Sequence, residues 1–394
     1  MRGRERTAEG IPAFQQYIDE RPMPAPPPAL PRGARYLHRP PAVSPRLRCA
    51  CVVPARDEAA RILACLEALR CQWSAGGRPL HDELAVVLVV NGTTDATAHR
   101  VAEWSRSHPA RALWAVDVDF PADRAHVGSA RGLGMHLAAG LLAEADACPP
   151  ERALLFSTDA DSRLDHDAVA GGLAELTRAD AFGAHIVAGE PDPSVVGGLV
   201  NRYGRLRGAL RHACFPEPHD RHPPHGVFGG AGFGVSLAAY RRVGGLPELP
   251  YDEDREMRAA LRAAGCRVSY PRDVVVQTST RTDGRTPWGM ARQLAAWEDQ
   301  HARGEWPRVP GYAGLRAKYT RKAAHRLRWR ADGGPGAFEA AWAAHWLDPE
   351  VQARHRRRYP LVPLPRAVRE LEAAASAPLE DVEPVPGGAV PAEV

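Results

Sequence analysis

Two aspartates one residue apart, Asp159 and Asp161, close the apolar run Leu154-Leu155-Phe156-Ser157-Thr158. A short apolar run bounded by polar residues reads as a buried parallel strand, and open α/β sheets bind ligands just beyond the carboxyl ends of such strands. If the chain is still extended there, both carboxylates project to one side, because strand side chains alternate. Carboxylates converging on one point repel unless a cation or a proton lies between them. Mg2+ or Mn2+, held by a couple of carboxylates and completed by substrate phosphates and water, suits that arrangement. The same residues also fit an Asp-rich turn that starts a helix over 165–178. A second acidic group, Glu253-Asp254, opens a helix containing Met257 and Leu261, where acids are favoured by the helix dipole in any case. A third, Arg56-Asp57-Glu58, follows the strand Cys49 to Val53 and combines a possible ligand loop with a helix N-cap. His219, His222 and His225 have tempting spacing, but no Cys or Glu lies at metal-site spacing beside them, which argues against zinc.

These groups need elements to hold them. The strand at Cys49, ended by Pro54, leads into a helix whose Ile62, Leu63, Leu66 and Leu69 repeat at helical spacing. Leu84 to Val90 is wholly apolar, as a central strand covered on both faces would be, and it ends in Asn91-Gly92-Thr93-Thr94-Asp95. A third strand, Ala112 to Val118, precedes His126-Val127-Gly128-Ser129-Ala130-Arg131-Gly132 and a long Ala/Leu helix. Gly128 and Gly132 permit close backbone approach at a helix start that favours anions, or simply tight packing of the helix on the sheet. The order β-α-β-α-β-α-β predicts a parallel sheet with the polar clusters along one rim. No G-x-G-x-x-G follows the first strand, which disfavours a dinucleotide site.

Downstream, 182–189 reads as one strand, Val195 to His212 as a basic amphipathic helix, and the glycine-dense 226–234 as backbone lying close to a ligand. Short strands at 267–270 and 274–277 lead to a polar loop carrying Arg281 and Arg285, then a helix over 287–302. Helices rich in Arg and Trp follow over 315–330, 336–347 and 349–359. The organisation expected is a Pro-rich, partly disordered leader over 1–46, an α/β domain over 47–302, a helical extension over 303–373 and a disordered tail over 374–394.

Composition narrows the classes. The 394 residues can bury a large core, and a net charge of +4 is too small for a general nucleic-acid binder. The 7 cysteines form no C-x-x-C pair and read as reduced core residues, which points to the cytoplasm. No apolar run approaches the ~18 residues of a membrane span. The basic runs 321–330 and 354–358 could touch anionic lipid heads, although a plain solvated helix face is the favoured reading.

Taken in order, the motifs resemble family 2 glycosyltransferases of the GT-A fold over residues 48–300. Val53-Pro54-Ala55-Arg56-Asp57-Glu58 is similar to the opening P-x-R-[ND]-E, Val90 to Asp95 to the D-[DN]-G-S-T-D turn, and His126 to Gly134 to the N-x-G-x-x-x-A-R-N-x-G segment. Asp159-Ala160-Asp161 stands at the D-x-D motif, Gly229 to Gly245 resembles the acceptor-side glycine segment, and Glu253-Asp254 falls at the E-D pair. The resemblance implies a nucleotide-sugar donor, a divalent metal (Mn2+ or Mg2+), an acceptor of unspecified identity and inversion at the anomeric carbon. Pro54, Arg56, Glu58, Asn91, Arg131, Asp159, Arg281 and Arg285 would line the donor site. Asp159 and Asp161 would hold the metal, and Gly229 and Gly230 would face the acceptor. Asp254 would be the general base, with Glu253 beside it. Val90 replaces the first acid of the turn, Gln277 falls near the position of a later metal-ligating His, and no Q-x-x-R-W motif follows, which argues against a processive synthase. Two alternatives remain: a catalytically inactive sugar- or nucleotide-binding subunit, and a phosphatase using Asp159 as nucleophile.

Overall fold

The computed structural model describes residues 30–31, 33–40, 42–109, 112–189, 194–217, 219–220, 225–281, 289–329 and 335–376. In chain order the first half comprises β1 (Arg35–His38), β2 (Cys49–Ala55), α1 (Ile62–Arg70), β3 (Leu84–Asn91), α2 (Thr97–Ser107), β4 (Leu113–Val118), α3 (Val127–Ala145), β5 (Leu154–Thr158), β6 (Ser162–Leu164) and α4 (Ala168–Glu175). The second half continues with β7 (Ala181–Gly183), β8 (His185–Ala188), α5 (Val195–Cys214), β9 (Gly232–Ser236), α6 (Leu237–Arg242), α7 (Glu253–Ala263), β10 (Val268–Ser269), β11 (Val275–Thr278) and α8 (Met290–Ala302). It closes with β12 (Arg308–Val309), α9 (Tyr312–Trp329), α10 (Pro335–Leu347), α11 (Pro349–Arg358), β13 (Val362–Pro363) and α12 (Leu364–Ser376).

The main sheet has the order β1-β4-β3-β2-β5-β9-β7-β10. Strands β4, β3, β2 and β5 are mutually parallel, and β9 runs antiparallel between β5 and β7. The wholly apolar strands are explained by cover on both faces. Val52 and Val87 pack with Met135 and Leu137 of α3, whereas Val53 and Leu88 pack with Ile62 and Leu66 of α1. The chain passes from β2 outward to β3 and β4, then returns through α3 to β5 on the other side of β2. That reversal makes the carboxyl ends of β2 and β5 the topological switch point, where ligands of open α/β sheets bind.

The structure differs from the sequence reading in several places. Strand β2 runs through Pro54 instead of ending at it: pairing with β3 continues to Ala55, while pairing with β5 stops at Val52, so the missing N–H of Pro54 lies past the β5 ladder. The span 182–189 is two strands, β7 in the main sheet and β8 in a small sheet of order β6-β11-β8. Part of the glycine-dense stretch is the buried strand β9. A Cβ on Gly234 would fall 2.3 Å from Cζ of Phe182, so this glycine makes room for an aromatic ring of the core and not for a ligand. Within the expected leader, β1 adds an antiparallel edge to β4. Helix α12, not anticipated, buries Leu364, Ala367, Val368 and Leu371 against Val196 and Tyr203 of α5, so the C-terminal helices share a core with an element of the α/β region. Most of the leader and tail lie outside the described residues, as does Arg285.

Candidate active site

Two loops at the rim are locked together. Asp57, with a left-handed φ of 52°, turns Oδ1 toward the loop after β3 and accepts from the Thr94 N–H at 2.7 Å and from the hydroxyls of Thr93 and Thr94 at 3.1 Å. Those contacts hold its carboxyl below the usual carboxylate range, the Thr94 N–H contributing most. The Glu58 N–H donates to Oγ1 of Thr97 at 2.7 Å, and Oδ2 of Asp95 accepts from the Ala59 N–H at 3.0 Å. Asp95 is held down to about 2 by hydrogen bonds that outweigh its burial. The acids of these loops thus brace the backbone that presents Arg56 and Glu58.

Glu58 itself points the other way. Its carboxylate, on a residue only 5% exposed, receives Nη2 of Arg281 at 2.7 Å and Nη1 at 3.3 Å, and Nε of the same guanidinium lies 3.1 Å from Oδ2 of Asp161. Burial and the adjacent Asp159 charge push Asp161 up to about 6, against the opposing pull of Arg281. This is the electrostatic condition a divalent cation relieves: a desolvated carboxylate beside another, with oxygen donors only. The donor set therefore fits Mg2+ or Mn2+ on Asp159 and Asp161. Among the described residues no group of three or more His, Cys, Asp or Glu is arranged to hold a metal, so substrate oxygens and water would complete the shell. The side-chain nitrogen of Gln277 donates to Asp165 at 2.7 Å.

Beneath the aspartates sits Arg131, 2% exposed. Its Nε donates to Glu253 at 3.0 Å, Nη1 to Oγ of Ser157 at 2.6 Å and to the Gly230 carbonyl at 2.9 Å, and Nη2 to Asp159 at 2.8 Å. One guanidinium thereby joins the end of β5, the start of α7 and the turn before β9. Burial raises the pKa of Glu253, and Arg131 opposes that rise. Asp254 accepts from the Gly230 N–H at 2.6 Å and from the Arg255 N–H at 2.6 Å. Its carboxyl is raised by burial despite Arg131 and these bonds.

Of the residues singled out from sequence, Glu58, Asp159, Asp161 and Arg281 meet at the rim, and Arg131, Glu253, Asp254 and Gly230 meet beside them. Gly229 adjoins the Asp254 carboxylate, 3.8 Å from where a Cβ would lie. Asn91 is 3% exposed with its Oδ1 buried and unpartnered among the described residues, and Pro54 is buried in β2. Arg56 extends to the Ala125 carbonyl at 3.3 Å. The helix-start glycine Gly128 serves protein packing: a Cβ there would lie 1.9 Å from the Leu249 carbonyl oxygen. His225 is a packed core side chain, 5.4 Å from the His185 ring and 5.6 Å from that of Tyr270, its pKa lowered to about 4 by burial. His222 lies outside the described residues. Sequence reasoning missed Ser157, whose alternation with Asp159 was the available signal, and the bracing role of Asp57.

Comparison with known proteins bears on this geometry. No curated protein matches the chain. Among solved structures, a mannosyltransferase from Pyrobaculum calidifontis in complex with GDP-Man and Mn2+ is similar at 20% identity, with 93% of this chain and 82% of that one covered and a TM-score of 0.47. TarS from S. aureus in complex with UDP-GlcNAc is similar at 15% identity, covering 79% and 73%, with a TM-score of 0.43. A profile of the family described as "Glycosyltransferase like family 2" matches residues 45–300. With a mainly parallel sheet and an acid-lined rim at its switch point, the chain belongs to the glycosyltransferase family 2-like proteins.

Proposed function

We propose that this glycosyltransferase moves a sugar from a nucleotide-diphosphate donor to an acceptor hydroxyl, with inversion and with Asp254 as the general base. The observation that carries the reading is the shared guanidinium of Arg131, which ties the Asp159 side of the rim to the start of the helix bearing Asp254. Donor and acceptor centres are thereby held at a fixed separation by a side chain that cannot relax into solvent. Asp159 and Asp161 would hold a divalent cation, which when bound supplies positive charge against the departing diphosphate.

In this reading Oδ1 of Asn91, unpartnered among the described residues, and the loops braced by Asp57 and Asp95 receive the nucleoside. Arg56 and Arg281 supply guanidinium groups on the donor side, and Arg285, outside the described residues, is assigned to the donor from the sequence. The acceptor oxygen, over Gly229 and Gly230, attacks the anomeric carbon from the face opposite the diphosphate. The carbon–oxygen bond to phosphate breaks, the nucleoside diphosphate leaves with that electron pair, and the acceptor proton passes to Asp254. A carboxyl raised by burial is a better proton acceptor near neutrality than a solvated one. Glu253 is the weaker choice for this role, because Arg131 already engages it and it is 5% exposed.

The match to a glycosyltransferase family leaves the phosphatase alternative without support. Intact acids on both sides of Arg131 favour a catalyst over an inactive binding subunit. Free thiols at Cys49, Cys51, Cys65, Cys71, Cys148, Cys214 and Cys266 support a reducing, cytoplasmic setting, and among the described residues no helix is long and apolar enough to cross a membrane.

The test is Asp254→Asn. Sugar release from a panel of nucleotide sugars with Mn2+ should fall about 10²- to 10⁴-fold, while Mn2+-dependent nucleotide binding, followed by thermal shift, persists. Full turnover in both Asp254→Asn and Glu253→Gln would refute the mechanism.

A further inference from the structure

Beside the start of α7 lies a concentration of positive charge that the transfer chemistry does not use. Arg207 and Arg211 come from α5, Lys318 and Lys322 from α9, and Arg255, the residue after Asp254, from α7. Helices α5 and α9 pack against each other and bring these groups together. Glu339, Glu217 and Asp252 are already engaged. Glu339 pairs with Lys322 at 2.7 Å and Arg262 at 3.5 Å. Glu217 pairs with Arg326 at 2.8 Å, Arg262 at 3.8 Å and Arg211 at 3.9 Å, and Asp252 pairs with Arg255 at 3.7 Å.

Lys318 and Arg207 are left over. Among the described residues neither has a carboxylate partner; each is half-buried over an aromatic ring instead, Lys318 Nζ 4.4 Å from the centroid of Trp346 and Arg207 Cζ 5.8 Å from that of Tyr203. The local field is strong enough to move proton affinities. Burial, then Arg207, Lys322, Arg211 and Arg255, lower Lys318 to about 8. Burial alone would raise Tyr270, yet Arg262, Arg258 and Arg211 bring its phenol down to about 7. Half-buried cations held against one another cost stability unless an anion joins them.

We propose that the acceptor is a phosphate ester, its hydroxyl at Asp254 and its phosphate held by Lys318 and Arg207. The proposal rests on the glycosyl-transfer reading and names the substrate class of that same site. A phosphate group carries roughly −1 to −2 charge, matching the two unpartnered cations, and offers several acceptor oxygens. A planar guanidinium and a point-like ammonium engage such a group together, the first bidentately and the second by charge. Arg255, exposed and next to Asp254 in the chain, adds its charge to the field at Lys318. A neutral sugar acceptor would leave both cations without an anionic partner among the described residues.

The test compares two probes, glycerol 3-phosphate in solution and vesicles containing phosphatidic acid, on the full chain and on the double variant Lys318→Met/Arg207→Met. The parent should bind at least one probe, and the variant should bind it about ten- to a hundredfold more weakly, as expected for charge-assisted hydrogen bonds lost. The probe that binds tells whether the phosphate is a soluble ester or a lipid head. Lys318→Arg should keep the affinity, and Arg207→Met alone serves if the double variant does not fold. Mn2+-dependent nucleotide binding is measured in parallel and should be unchanged in every folded variant. If nucleotide binds but neither probe distinguishes parent from variant, the phosphate proposal is overturned; if no nucleotide binds to the parent, the donor reading itself falls.

Discussion

Replacing Arg131 by Met tests whether one buried guanidinium organises the site. The side chain keeps an unbranched stem but loses the groups that donate to Glu253, Ser157, Gly230 and Asp159. The cost is concentrated on Glu253, because the Asp159 side chain is 36% exposed and solvent screens its loss. Removing one partner of a buried ion pair costs about 3–5 kcal/mol, a large part of the ~5–15 kcal/mol that holds a typical domain together. The pH dependence gives a second readout. Burial raises Glu253 in the parent and Arg131 opposes that rise, so the folded-state pKa goes higher in the variant. An acid whose folded pKa lies above its unfolded value, about 4.3, loses stability as pH rises from the unfolded pKa through the folded one. The variant's deficit should therefore be smallest near about pH 4 and grow toward neutrality. Urea unfolding across that range, followed by tryptophan fluorescence, measures both. A deficit under about 1 kcal/mol with the parent's pH slope would refute the organising role of Arg131.

Two further outcomes are expected. Asp161, pushed up to about 6, carries a folded pKa above its unfolded value of about 3.9, so the metal-free protein loses this group's contribution to stability as pH rises between those values. A divalent ion binds the ionised form, so Mn2+ with nucleotide should raise the melting temperature more at about pH 7.5 than at about pH 5, and equal gains would remove Asp161 from the metal site. Gly128→Ala forces the Leu249 carbonyl away from the start of α3 and should destabilise by about 1–3 kcal/mol in the same unfolding assay, whereas parent-like stability would show that the 249 loop yields freely.

The sequence by itself determined the alternation of strands and helices from β2 through β5, because wholly apolar runs such as Leu84 to Val90 and helical repeats such as Ile62 to Leu69 are local patterns with local physical meaning. It also singled out candidate acids, since Asp159, Asp161, Glu253 and Asp254 each follow or open a recognisable element. What only the tertiary structure decided is which of these groups meet. Arg131, Asp159 and Glu253 are far apart in the chain and converge because β5 lies between β2 and β9. Whether a glycine run is ligand-facing loop or buried strand depends on the ring of Phe182 packed over Gly234, which no local pattern records. The small sheet that brings β11 beside β6 sets Arg281 against Asp161 and Glu58, and pairing of this kind between distant segments is fixed by burial of the whole fold and not by propensity. The same holds for α12, whose apolar face finds its partner on α5, an element more than a hundred residues earlier in the chain.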